Sequence, residues 1–137
     1  MDKPVVYQTN RHFSGGIQSS GSFFLCMYHV SSGENLYTEL NRLYESLTAS
    51  GALKDGQPED YAAVLSAFGI NAVFSGTASP VTDFLYPGQF AVACTGPGYA
   101  YWVCVDRNKR IIYNPDPESG IPEKYTLHTL KVFTYNK

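Results

Sequence analysis

The stretch from Gly21 to Val30 limits what this chain can become. It reads Gly-Ser-Phe-Phe-Leu-Cys-Met-Tyr-His-Val, and Phe23 to Tyr28 leave no polar face of any width. A run of this length fits a strand or a helix by pattern alone. Leu, Met and Cys outnumber β-branched types here, which favours a helix. A helix that is apolar all round belongs in the middle of a domain, covered on every side.

The cover has to come from the rest of the chain. Leu36, Leu40, Leu43 and Leu47 recur at helical spacing behind Ser32, a candidate N-cap. Glu34, Glu39, Arg42 and Glu45 would face water, and Ser50-Gly51 would end the helix with a left-handed glycine. A third helix is expected with Pro58 in its first turn and Glu59-Asp60 beside the positive end of its dipole. Tyr61, Val64, Leu65 and Phe68 form its buried stripe, and Gly69 ends it. Ahead of the central helix, Val5-Val6-Tyr7 reads as a short strand and Ser14-Gly15-Gly16 as a loop.

After Gly69 the periodicity shortens. Asn71 to Phe74, Phe90 to Cys94, Tyr101 to Val105, Arg110 to Tyr113 and Leu130 to Tyr135 read as strands. Thr77 to Gly88, with Pro80 and Pro87, reads as a loop, and Asp106 to Lys109 as a hairpin turn. Asn114-Pro115-Asp116-Pro117 must leave the sheet, because proline cannot donate to a ladder. Helices first and antiparallel strands afterwards predict an α+β domain. No repeat or linker divides the chain, so residues 1–137 are read as a single domain.

Composition narrows the function. Charged residues make up only 16% of the chain and apolar types 44%, which excludes a disordered tail or a coiled coil and allows a core without disulfides. A net charge of −2 makes duplex nucleic acid, held mainly through its phosphates, an unexpected partner. No apolar run approaches the ~18 residues of a membrane span. Met1-Asp2-Lys3-Pro4 does not open a signal peptide, so a cytoplasmic location is expected. Cys26, Cys94 and Cys104 contain no CxxC and fit no zinc spacing, so thiols, no metal and no cofactor are expected. Cys94 and Cys104 fall on neighbouring strands where they would face each other. Oligomeric state stays open, with apolar strand edges such as Phe90 to Cys94 able to pair. The unusual count is tyrosine: 11, beside eight Phe and one Trp. Each buried phenol needs a hydrogen-bond partner, so this excess points to a surface that stacks on or hydrogen-bonds a ligand.

Chemistry gathers at the start of the central helix. Gln18 stands four residues before Ser22, in Gln-Ser-Ser-Gly-Ser-Phe-Phe-Leu. A helix N-terminus favours an anion, lowers the pKa of a nucleophile placed on it, and a nearby amide can donate to an oxyanion. Further on, Tyr101-Trp102-Val103-Cys104-Val105 is followed by Ile111-Ile112-Tyr113-Asn114-Pro115. In this order the chain resembles the papain-like cysteine peptidases, in particular the small bacteriocin-processing (double-glycine) branch. The resemblance covers roughly residues 17–30 and 99–116. It implies a papain-like fold: a central buried N-terminal helix, with two further helices, packed on a C-terminal antiparallel sheet. It puts Gln18 at the oxyanion position, Ser22 at the nucleophilic cysteine, Tyr101 at the histidine and Asn114 at the orienting residue. The histidine position shifted by one residue would be Ala100.

Those departures decide the functional expectation. Tyrosine titrates near ~10 and histidine near ~6.5, so a Ser-Tyr-Asn set holds no general base at neutral pH. The expected function is a catalytically degenerate domain that binds a small-molecule or peptide ligand between the helix tip and the sheet. Gln18, Ser22, Tyr101 and Asn114 would supply polar contacts, and Tyr99, Trp102 and Tyr113 stacking faces. In size and tyrosine content it resembles phage proteins that sequester nucleotide-derived immune signals, which would place it in a bacterial cell. One alternative is a hydrolase using Ser22 or Cys26, with His12, His29 or His128 as base. Another is a protein-interaction domain using a flat aromatic patch. The bland readings are a helix-start serine at Ser22, a strand aromatic at Tyr101, a turn initiator at Asn114 and a small buried hydrophobe at Cys26.

Overall fold

The computed structural model describes residues 4–136. The expectation that the chain opens on no signal peptide rests in part on Met1 to Lys3, which lie outside them. Five α-helices and one five-stranded antiparallel sheet form an α+β architecture, as expected. No helix among the described residues is long and apolar enough to cross a membrane.

Helix α2 (Ser22–Val30) is the apolar run, and every residue from Ser22 to Tyr28 is buried. It comes after α1 (Gly15–Ser20), a short helix where a loop was expected. Ile17 explains the difference: it is fully buried and draws the segment onto the core. The segment around Val5 to Tyr7 forms no strand. It is tied to the far end of the chain by Gln8 N–H to the Pro115 carbonyl at 2.8 Å.

Helix α3 (Tyr37–Ala49) begins later than Ser32, because the Glu39 carboxylate accepts the Leu36 N–H at 2.7 Å and sets the first turn there. Leu40 and Leu47 are buried, whereas Leu36 is left exposed at the cap. α3 packs on α4 (Tyr61–Ala67) and on the small hairpin β1 (Leu53–Lys54)–β2 (Gln57–Pro58), and its Tyr44 meets Phe24 of α2 edge-on. Pro58 belongs to that hairpin. The first turn of α4 is set instead by Asp60, whose Oδ1 accepts the Ala63 N–H at 3.1 Å.

The large sheet runs β3 (Ala72–Ala78), β7 (Thr129–Tyr135), β4 (Gln89–Thr95), β5 (Tyr101–Val105), β6 (Ile111–Tyr113). The last strand in the chain therefore sits between β3 and β4. Alternation divides the sheet into two faces. Val92, Cys94, Trp102, Cys104, Tyr113 and Phe133 pack with α2 in the main core. Ala91, Ala93, Tyr101, Val103, Val105, Leu130 and Val132 form a second cluster on the opposite face. That second face is covered by Leu85 from the 79–88 loop and by Ile121 from α5 (Ile121–Lys124).

A bulge at Ser75 sets how β3 is used, since the pairing steps from Phe74–Phe133 directly to Gly76–Val132. Phe74 stacks on Tyr61 at 4.2 Å on the helix side. The extra residue turns Gly76 and Ala78 to the other face, and Gly76 holds a φ of 136° that other residues rarely adopt.

Candidate functional site

The proposed nucleophile position is a structural joint. Ser22 is 3% exposed, and its Oγ accepts the Trp102 backbone N–H at 3.1 Å, fastening the tip of α2 to β5. Phe23 packs edge-on against the Trp102 indole at 5.1 Å. The indole Nε1–H donates to Gln57 Oε1 at 2.9 Å, and Gln57 Nε2 donates to the Ala100 carbonyl at 3.1 Å. The β1–β2 hairpin thus closes over the joint. A Cβ at Gly56 would lie 1.8 Å from the Ser20 carbonyl oxygen, so only glycine fits where the hairpin meets the α1–α2 corner. Gln57 went unnoticed in the sequence; its signal is the Asp55-Gly56 dipeptide beside it, a hairpin turn former.

Tyr101 and Asn114 do meet. The Tyr101 hydroxyl donates to Asn114 Oδ1 and accepts the Asp116 N–H at 2.7 Å. Asp116 N–H also reaches Asn114 Oδ1 at 3.2 Å. Burial, reinforced by the Asp116 charge, raises the Tyr101 phenol far above its ordinary value, partly offset by the hydrogen bond from Asp116 N–H. It is a poor acid and no base at neutral pH. Of hydroxyl 22, phenol 101 and amide 114, expected in one cleft, the last two meet through a hydrogen bond, with Asn114 lining a recess and the Tyr101 ring buried behind it. Among the described residues no hydrogen bond joins Ser22 to either, and Tyr101 packs in the second cluster, away from the α2 face.

Gln18 is exposed and spoken for. Its Nε2 donates to the Phe13 carbonyl at 2.8 Å, and its own carbonyl accepts Gln8 Nε2 at 3.1 Å. It braces α1 and does not face Ser22 as an oxyanion donor. Gln8, which the sequence did not single out, is 5% exposed and bridges this segment to Pro115. Its Oε1 is a buried acceptor with no partner among the described residues. Nothing in the local sequence marks it, because its burial comes from contacts with residue 18 and the distant residue 115.

The other named aromatics separate. Tyr99 sits on a turn with a φ of 55°, more than half exposed, its ring stacked on His128 at 3.6 Å beside a recess of about 220 Å³. Tyr113 is buried; its hydroxyl donates to the Val6 carbonyl at 2.6 Å and its ring lies parallel to His29 at 4.4 Å. Burial above all raises the Tyr113 phenol. Tyr113 and Asn114 line a recess of about 310 Å³ together with Tyr7, His29 and Ile112. Asn114 has both Oδ1 contacts committed inward, so its Nδ2 is the end left for a ligand.

His12 leans on Tyr37, His29 on Tyr113 and His128 on Tyr99, and among the described residues no imidazole hydrogen-bonds Ser22 or Cys26. Cys26 is completely buried, and burial, together with the neighbouring Cys104, pushes its thiol well above the ordinary value. Cys104 Sγ contacts the Cys26 carbonyl at 3.5 Å, while Cys94 pairs with Thr129 at 3.0 Å. Cys94 and Cys104 therefore do not face each other, since β4–β5 pairing sets Cys94 against Trp102 and Cys104 against Val92. All three cysteines are free thiols, and the described residues contain no cluster of three metal-ligating side chains. No family model matches the chain, and comparison with curated proteins and with solved structures finds no match.

Proposed function

We propose that this is a catalytically silent domain of papain-like descent that binds a small ligand in the recess beside Tyr113 and Asn114. The observation that carries the reading is the use of Ser22: its hydroxyl is an acceptor inside a buried joint, opposite a backbone N–H, and among the described residues no imidazole hydrogen-bonds it. The Tyr101–Asn114 pair is closed in the same way by Asp116 N–H. Groups that a hydrolase keeps open to substrate are here consumed by the fold.

The recess favours a planar, base-bearing ligand such as a nucleotide-derived signal. The parallel Tyr113–His29 pair gives a flat wall, Tyr7 stands 6.5 Å from Tyr113, and Ile111 and Ile112 supply apolar edges. Asn114 Nδ2 offers a donor to a ring acceptor. The volume of about 310 Å³ lies at the lower end of the ~300–1,000 Å³ usual for small-molecule sites. A cytoplasmic, nucleotide-sequestering role accords with this reading.

Saturation-transfer NMR with adenosine monophosphate and a cyclic diadenylate tests it. Saturation of the base protons, about tenfold weaker binding in Asn114→Leu and no binding in Ile112→Asp are expected. Absence of saturation with either probe removes the ligand. Rapid labelling of Cys26 in the folded protein by iodoacetamide would restore the hydrolase instead.

A further inference from the structure

We propose that the cavity between β3 and the 79–88 loop is a binding site for a neutral sugar ring. It lies on the opposite face of the sheet from α2 and does not depend on the recess beside Tyr113. At about 360 Å³ it is larger than that recess, and it exists because the bulge at Ser75 turns two small residues, Gly76 and Ala78, toward Val132. Larger side chains at those two positions would fill it.

The loop over it is ordered by its own bonds. Asp83 Oδ2 accepts the Ser79 N–H at 2.6 Å, Ser79 Oγ accepts the Val81 N–H at 3.2 Å, and Gln89 Oε1 accepts the Tyr86 N–H at 2.9 Å. Lys109 Nζ donates to the Asp83 carbonyl at 2.8 Å and sits 5.4 Å over the Phe84 ring. Leu85 anchors the loop in the second cluster, yet Phe84 and Tyr86 on either side of it are 78% and 69% exposed. Two aromatic rings held in water at the mouth of a polar cavity, on a loop that is not loose, need a use.

The spare polar groups say which use. Among the described residues, the hydroxyls of Thr82 and Tyr86 and the second oxygen of Asp83 have no protein partner. A carboxylate acceptor beside hydroxyl donors matches vicinal ring hydroxyls, and the exposed rings match the C–H face of a pyranose. An anion is disfavoured because the Asp83 carboxylate lines the cavity, Lys131 is bonded to Thr77 on the other face, and Lys109 is held by the Asp83 carbonyl and the outer side of Phe84. A purely apolar ligand would strand Asp83 and the hydroxyls of Thr82 and Tyr86 without water.

Saturation-transfer NMR with the methyl glycosides of glucose, galactose, mannose and N-acetylglucosamine tests the site. At least one glycoside receives saturation on its ring C–H protons. Binding falls about tenfold in Asp83→Asn, which keeps an oxygen for Ser79 N–H, and by a similar factor in Tyr86→Ala. It is lost in Ala78→Trp, which fills the cavity, while the thermal melts of Asp83→Asn and Tyr86→Ala match wild type. No saturation with any of the four sugars overturns the proposal. So does binding that survives in Tyr86→Ala and Asp83→Asn together, or a preference for glucose phosphate over the neutral glycoside.

Discussion

The two faces of the large sheet are built on opposite principles. On the α2 face, large rings interlock: Phe23, Phe24 and Phe133 are fully buried, and the polar groups among them are paired inside the fold, as Ser22 is with Trp102 N–H. On the other face the strands carry Ala91, Ala93 and Ala78, and the cover is one loop and a helix of four residues. Around the tip of α2 the first face has no room left for a substrate, and its recess lies at the other end, beside His29 and Tyr113. The second spends less apolar area and leaves a cavity with unpartnered hydroxyls among the described residues. A site can be sought where packing is incomplete and the polar groups remain unpaired; the α2 tip, the first place to look from the sequence, meets neither condition.

Alkaline titration strains the packed side most. On that side burial raises the phenol of Tyr113, and to a smaller extent those of Tyr44 and Tyr61. Unfolded tyrosine ionises near ~10, so the stability these groups contribute is full below that pH and is lost as pH rises toward their folded values. Tyrosinate absorbance from them is expected to appear together with loss of far-UV circular dichroism, in one cooperative step above about pH 10. Smooth ionisation in a protein that stays folded would mean that water reaches these phenols and that the packed side is looser than described.

Truncation compares the faces directly. Phe23→Ala should cost about 3–5 kcal/mol, because a fully buried ring leaves a cavity among rigid neighbours. Leu85→Ala, on a surface loop, should cost about 2 kcal/mol, since the loop can settle into the space. Urea melts give both values, and equal losses would break the contrast. Below these comes Ser22→Ala, which leaves the Trp102 N–H buried and unpaired, at about 1–3 kcal/mol. Its partner experiment, Ser22→Cys, is expected to produce neither peptide hydrolysis nor rapid iodoacetamide labelling, as the side chain is 3% exposed and no imidazole hydrogen-bonds it among the described residues.

Much of the packed side was legible. The apolar run predicted α2, and Tyr101-Trp102-Val103-Cys104-Val105 predicted β5, because both patterns are local. What escaped depends on distant partners or on short signals. β7 enters between β3 and β4, a pairing that no local pattern encodes. The β1–β2 hairpin has two-residue strands, too short for alternation, although Asp55 and Gly56 both take positive φ, at 52° and 78°, as their dipeptide suggests. The candidate site was legible only in pairs. All four residues were read by family position: Tyr101 and Asn114, from a strand and the corner after its hairpin partner, do meet, whereas Gln18 and Ser22 bond elsewhere.

The smallest effect tests the rim of the looser face. Tyr99 holds a φ of 55°, which costs a non-glycine residue about 1–2 kcal/mol. Tyr99→Gly removes that strain, but it adds about 0.4–1 kcal/mol of unfolded-chain freedom and forfeits the ring stack on His128, about 0.5–1.5 kcal/mol. These oppose each other, so the urea midpoint should move by less than about 0.5 kcal/mol in free energy. A ring kept half in water at no net gain in stability is one the fold tolerates for what it can touch. If Tyr99→Gly instead costs ~2 kcal/mol or more, the Tyr99–His128 stack is part of the packing. The division between a packed face and a receptive one would then have to be redrawn to leave the 97–99 turn on the packed side.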